Sequence, residues 1–353
     1  MTMPKPDMML GPVTDRSAWK GADMTKDDSW IYRLNQREAA EIESAFARSA
    51  PAAKHHDDVT KNDFPLDTFG RLVTAMRDQI EDGRGLTLLK GVPVGGKTVE
   101  QLELLYAGIA AHIGTSIAQD TQGTLTGRVE DHGNNYKDIN VRGTNTNAQL
   151  TPHCDSGDIL ALLCVRQAKT GGVNTLASSM AIYNEILARH EEFLEPLYNG
   201  FHYNIRGNGP PVRYRDITAH RVPVYSYYRG KLSCRFNQKA ILTSEQLPGG
   251  PPLTQLEKDA VNEVAALSMR PELSFEVRLE PGDLLLLSNY SVFHNRDAFE
   301  DWDDPARKRL LLRKWINIPN ARQLAWEFAD HYNTGPRQGP YVQREAEQIA
   351  KVA

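Results

Sequence analysis
The stretch T-P-H-C-D-S-G-D, Thr151 to Asp158, sets a histidine and an aspartate two positions apart at the mouth of an aliphatic run. On an extended strand residues i and i+2 share a face, so His153 and Asp155 project together while Cys154 points the other way. Such a pair serves a metal site, an acid/base pair or a plain polar surface. Among the ten histidines, His294 stands apart, because the apolar segment P-G-D-L-L-L-L-S-N-Y-S-V-F leads directly into it. Two histidines and one carboxylate, as H-x-D plus a distant H, compose the facial triad that holds non-haem Fe(II) and leaves coordination positions open. An oxygenase needs those positions, since O2 and a reducing co-substrate must both reach the metal.

A common co-substrate is a 2-oxo acid, which chelates iron through its keto and carboxylate oxygens. Its far carboxylate then requires a cation, and a guanidinium fork matches a carboxylate bidentately without losing its proton. R-L-L-L-R supplies Arg309 and Arg313, four apart and on one face of a strand. Burying either arginine unpaired is costly, which argues for an anionic partner; the alternative is that both reach the outer surface. Arg307 is a third candidate, at an even spacing from the other two.

Competing chemistries leave weaker traces. H-x-D also occurs in sites that activate water, so a metal-dependent hydrolase or lyase stays open, as does a non-catalytic small-molecule binder. No H-x-H or H-E-x-x-H completes a hydrolytic metal site, and no G-x-S-x-G marks a serine hydrolase. G-V-P-V-G-G-K-T, Gly91 to Thr98, matches the phosphate-loop pattern but lacks an aliphatic strand ending in the aspartate that would hold magnesium.

These residues must be held by a scaffold, and the chain supplies one. Leu34 to Arg48 reads as a helix capped by Asn35, a second helix starts at Phe69, and a third runs from Thr98 to His112. L-T-L-L-K, I-L-A-L-L-C-V, L-S-F-E-V-R-L, L-L-L-L-S-N and R-L-L-L-R-K-W-I-N-I read as strands, and Arg229-Gly230 as the turn of a hairpin. Thr254 and Glu257 form a capping box on another helix. The pattern is α+β with a mainly β core, a sandwich or barrel carrying an N-terminal helical layer. Residues 1–28, rich in Met, Pro, Asp and Lys, read as a loose arm, and no composition break divides the rest. A net charge of −4 gives no electrostatic reason to expect nucleic acid. No apolar run approaches the roughly 20 residues that span a bilayer. Three scattered cysteines (Cys154, Cys164, Cys234) suit a reduced compartment, so a cytoplasmic location is expected.

Taken together, H-C-D-S, T-G-G-V-N-T, the segment ending in F-H-N-R and the arginine pair resemble the TauD/TfdA family of Fe(II)- and 2-oxoglutarate-dependent dioxygenases. The resemblance covers roughly Phe64 to Ile318. It implies a double-stranded β-helix (jelly roll) with flanking helices, one domain over 29–353, and Fe(II), 2-oxoglutarate and O2 as reactants. It implies His153, Asp155 and His294 as catalytic iron ligands, Thr175 and Arg309 as holders of 2-oxoglutarate, and Arg313, Asn145 and Asn147 as substrate contacts. A carboxylate at Asp155 favours hydroxylation over halogenation, with desaturation and cyclisation sharing the same centre. The substrate implied is a small, carboxylate-bearing molecule, with Gly207 to Tyr214 as a covering loop. The aromatic text Y-S-Y-Y, with Tyr203 and Phe236, reads either as core or as a cage. A homo-oligomer is compatible with the family.

Overall fold
Short runs that are apolar at every position, rather than at alternate ones, belong to strands buried on both faces. The computed structural model, which describes residues 8–50, 55–211, 215–329 and 331–343, places them there. The strands that matter are β1 (Leu86–Lys90), β2 (Ile159–Arg166), β3 (Asn174–Ser178), β4 (Ser274–Val277), β5 (Leu284–Ser288), β6 (Val292–Arg296) and β7 (Leu310–Asn317). A large sheet runs β1-β5-β2-β7, antiparallel throughout. Ile31–Arg33 joins the β1 edge in parallel, and Thr115–Ile117 and Gly127–Val129 both pair with β7. A smaller antiparallel sheet has the order β4-β3-β6.

Strand parity divides the interior in two. Leu160, Leu162, Cys164, Leu285, Leu287, Leu311 and Trp315 of the large sheet share one core with Leu176, Phe275 and Val292 of the small sheet. The alternate residues, including Ile159, Leu163, Leu286 and Leu312, face a second core. Three helices close it: α1 (Gln36–Ser49), α2 (Phe69–Glu81) and α3 (Val99–Ile113). The caps at Asn35, Thr98 and Thr254 are all made as capping boxes. Arg229 and Gly230 take positive φ, 49° and 82°, as a tight hairpin between Tyr225–Tyr228 and Lys231–Cys234 requires. Of the phosphate-loop look-alike, Thr98 caps α3 and Lys97 pairs with Glu43 at 2.7 Å, so the pattern serves the helical layer.

The N-terminal arm is not loose where it is described. Trp19 is buried, donates from Nε1 to the Arg84 carbonyl at 2.8 Å and meets the Phe275 ring edge-on at 5.4 Å. Val13 exchanges two 2.8 Å hydrogen bonds with Asn184. Isolated apolar anchors with no helical or strand period hold this segment, which is why its composition misled; residues 1–7 lie outside the described part.

On the helix-facing side of β7, Lys314 is 1% exposed, with Asp57 at 3.7 Å. Burial pushes its ammonium down to about 8 from 10.5, against the pull of Asp57. At pH 7 both folded and unfolded lysine hold the proton, so the penalty is present in full. Above pH 8 the folded group loses its proton while the unfolded one keeps it, and the penalty fades. Lys314→Met should therefore stabilise the fold by about 1–3 kcal/mol at pH 7, a gain that shrinks towards pH 10. Paired thermal melts across that range check it.

Candidate active site
His153 lies directly opposite His294, the two exchanging backbone hydrogen bonds of 3.0 Å each way. Facing residues on antiparallel strands share a face. The rings accordingly stand 4.2 Å apart, and the Asp155 carboxylate joins them with all three ligand atoms within 4.8 Å of one another. His153 Nδ1 donates to the Thr151 carbonyl at 2.8 Å, which fixes the tautomer and leaves Nε2 free. Burial lowers both imidazoles: His294 falls to about 3, with His153 and Arg313 adding to the effect against Asp155. Burial alone would raise Asp155, but Arg313 and the two histidines outweigh it and hold the carboxyl well below its ordinary value. Two neutral imidazoles and one carboxylate are the donor set that fits Fe(II) with open positions.

Arg313 reaches this cluster. Its Nη1 donates to Asp155 at 3.1 Å and its Nε to Gln119 Oε1 at 2.7 Å, while Gln119 Nε2 donates back to the Arg313 carbonyl at 2.8 Å. Arg309, one residue before β7, lines a separate cavity of about 280 Å³ with Gly172, Asn174 and Leu311. A Cβ at Gly172, where φ is 72°, would come within 3.2 Å of Arg309 Nε, so the G-G turn is what lets the chain pass. Arg296 joins Arg309: their guanidiniums lie 4.7 and 5.0 Å from the Phe299 ring, and each keeps a buried Nη1 with no partner. Asp301 is nearby, but accepts from the Arg309 backbone at 2.7 Å. Burial lowers Arg309 to about 10 and Arg296 to about 9, the latter with Arg309 repelling it. Arg296 was legible in the sequence, since it lies two residues after His294 and parity puts both on one face.

Several expected residues fall elsewhere. Thr175 is paired with Asn295 and Glu276, so its side chain lies on the face away from His294 and Arg296. Asn174, one residue earlier, pairs with Arg296 and lines the Arg309 cavity. Arg307 belongs to the turn Pro305–Arg307 outside β7 and stacks on Trp302 at 3.5 Å, where strand parity does not apply. Asn147 is exposed and Asn145 turns to Thr144 at 3.2 Å; Arg142, Gly143 and Thr144 line the cavity in their place. Of the covering loop, Gly207 to Pro211 is described and positions 212–214 lie outside the described residues. Tyr225 is core and Tyr228 is exposed, whereas Tyr203 and Phe236 face the cavity.

That cavity, about 840 Å³ and open to solvent, contains His153, Asp155 and Arg313 together with Arg142, Arg206, Arg235 and His331. His331 reads in the sequence as part of an amphipathic helix. The helix there is only Trp326–Ala329, and His331 beyond it packs edge-on against Tyr203 at 5.0 Å. Its Nδ1 has no partner, and burial, followed by Arg235, holds the ring well below its ordinary value.

Comparison with known proteins agrees with this geometry. The family described as taurine catabolism dioxygenase TauD, TfdA family matches residues 48–315. FR-33289 synthase of Streptomyces rubellomurinus is 34% identical over 328 residues, covering 92% of this chain and 96% of that protein. The solved structure of an asparagine oxygenase with Fe(II), 3-hydroxyasparagine and succinate has a TM-score of 0.64 at 18% identity, over 82% of this chain and 93% of that one. The non-heme iron oxygenase OrfP with Fe, succinate and 3-hydroxyarginine gives 0.60 at 15%, over 81% and 94%. The two structures show a shared fold. On the family match and the 34%-identical relative, the chain belongs to the TauD/TfdA dioxygenase family and is an Fe(II)- and 2-oxoglutarate-dependent oxygenase.

Proposed function
We propose that this enzyme hydroxylates an unactivated C–H bond of a small anionic molecule, coupled to conversion of 2-oxoglutarate to succinate and CO2. The observation that carries the reading is the cluster of His153, Asp155 and His294, of which His153 and Asp155 line a cavity that also holds four arginines. His153, Asp155 and His294 are the iron ligands, and the two sheets are the halves of a double-stranded β-helix. When bound, iron and O2 supply the oxidising power. The chain's own residues bind, orient and exclude water.

Arg309 and Arg296 take the far carboxylate of 2-oxoglutarate, their two unpartnered Nη1 atoms being its hydrogen-bond donors. Arg313 holds the Asp155 carboxylate in place and keeps it ionised, rather than serving the substrate alone. A cationic substrate is disfavoured, because among the described residues Asp155 is the only carboxylate in the cavity lining and is already committed to Arg313. Hydroxylation is favoured over desaturation or cyclisation by the hydroxylated products in the two compared structures. The whole described chain acts as one domain, since one of its two cores takes residues from Val13 to Tyr332 and the large sheet contributes to both.

Anaerobic addition of Fe(II) and 2-oxoglutarate should produce a weak visible metal-to-ligand charge-transfer band that needs both. A protein that binds iron yet gives no band with 2-oxoglutarate would sink the reading. Candidate substrates are then ranked by how fast each makes the band decay when O2 is added, and product mass separates hydroxylation from loss of two hydrogens.

A further inference from the structure
The charges around the cavity do not balance. Among the described residues its lining holds four guanidiniums, Arg142, Arg206, Arg235 and Arg313, against the one carboxylate of Asp155. Arg313 is matched by Asp155 at 3.1 Å. Three arginines are left over. Arg142 donates only to neutral acceptors, the Gln119 carbonyl at 2.6 Å and Asn208 Oδ1 at 3.0 Å.

Arg235 is more telling. It is 8% exposed, its Nε is buried without a partner, and its guanidinium faces the Phe328 ring at 5.0 Å. Arg206 has a buried, unpartnered Nε as well, and sits at φ 53°, a left-handed conformation that a non-glycine residue adopts only at a cost. That conformation is held from both sides, by Arg206 N–H donating to Asn204 Oδ1 at 2.9 Å and by the Arg206 carbonyl accepting from Asn208 Nδ2 at 3.2 Å. Among the described residues, neither Arg206 nor Arg235 has a carboxylate within ion-pair distance. The cations also feel one another: burial, with repulsion from Arg313 and Arg206 and against the pull of Tyr332 and Asp120, pushes Arg142 below its ordinary value.

Three guanidiniums that no carboxylate of the described residues pairs, one of them buried and one held in strain, form a site that is complete only when a ligand supplies the charge. A single carboxylate offers one charge and two oxygens, enough for one guanidinium fork. Three forks ask for more oxygens and a second charge. Resting on the oxygenase reading above, we propose that the primary substrate carries a doubly ionised tetrahedral oxyanion, a phosphate monoester or a phosphonate, held by Arg142, Arg206 and Arg235. The head group then anchors the molecule within the cavity that holds the iron ligands, which fixes the C–H bond presented for oxidation.

The test is calorimetric titration of the full-length chain, first metal-free and then with Fe(II) and 2-oxoglutarate in the absence of O2. The probes are methylphosphonate, methyl phosphate, methanesulfonate (tetrahedral, one charge) and malonate (two charges, no tetrahedral centre). The two phosphorus dianions are expected to bind at least about tenfold more tightly than either control, and the tighter of the two identifies a C–P or a P–O–C head group. Arg206→Gln and Arg235→Lys should each weaken that binding about tenfold, with melting temperatures confirming that both variants fold; Arg206 is half-buried on a loop and is the safer of the two. Arg189→Gln, at an exposed arginine outside the cavity lining, should leave it unchanged. Malonate or methanesulfonate binding as well as methylphosphonate would overturn the proposal. So would the absence of phosphonate and phosphate binding in protein that forms the charge-transfer complex, an outcome that leaves the oxygenase reading standing. Failure of that complex would instead count against the oxygenase reading, because head-group binding is read independently on the metal-free chain.

Discussion

Asp155→Ala should reduce turnover by about a thousandfold or more and, separately, destabilise the metal-free protein by about 3–5 kcal/mol. The first effect follows from the proposal that Asp155 is one of three iron ligands and the anionic one of the set. The second follows from Arg313, whose guanidinium is buried and donates to Asp155 at 3.1 Å. Deleting one partner of a buried pair leaves the other charge uncompensated. The stability loss has a pH signature. Asp155 has a folded-state value below its ordinary 3.8, so its contribution is present above that value and disappears as pH falls through the folded one. Wild type and variant should differ at pH 7 and converge on acidification below about 4. A variant that loses turnover but melts like wild type at pH 7 would mean that Arg313 finds another anion, and the positioning role given to it would fall. Asp155→Asn, which keeps the volume, separates loss of charge from loss of packing.

Arg309→Gln should raise the 2-oxoglutarate concentration needed for half-maximal charge-transfer absorbance by about 30–1,000-fold, which corresponds to about 2–4 kcal/mol for one member of a buried, charge-assisted contact. The maximal rate at saturating 2-oxoglutarate should change far less, because the group binds the co-substrate away from the reacting carbon. Arg296→Gln should act in the same direction. The double variant should lose less than the product of the two single losses, since both arginines serve one carboxylate across the Phe299 ring. If Arg309→Gln leaves the requirement unchanged while Arg313→Gln raises it, the co-substrate lies along Arg313 and the two arginines exchange roles.

Much of this molecule is written in local pattern. Runs such as L-L-L-L and I-L-A-L-L-C-V read as buried strands, and Asn35 and Thr254 as caps, because these signals depend on neighbours within a few residues. His153 and Asp155 share a face by parity alone, and the apolar approach to His294 marks it as enclosed. Even Arg296 follows from the same i, i+2 rule, two residues after His294.

What only the tertiary structure decided is everything that depends on register and on residues far apart in sequence. Thr175 and Asn174 are adjacent, and pairing with β6 alone determines that Asn174, not Thr175, faces the side carrying Arg296. Trp19 looks like part of a tail until Phe275 and the Arg84 carbonyl give it a place. Arg142, Arg206, Arg235 and His331 come from four unrelated stretches, none with a motif, and gather in one cavity through chain closure. Local spacing encodes which face a side chain takes. Which faces meet, and so which charges are left unpaired, is set by long-range packing.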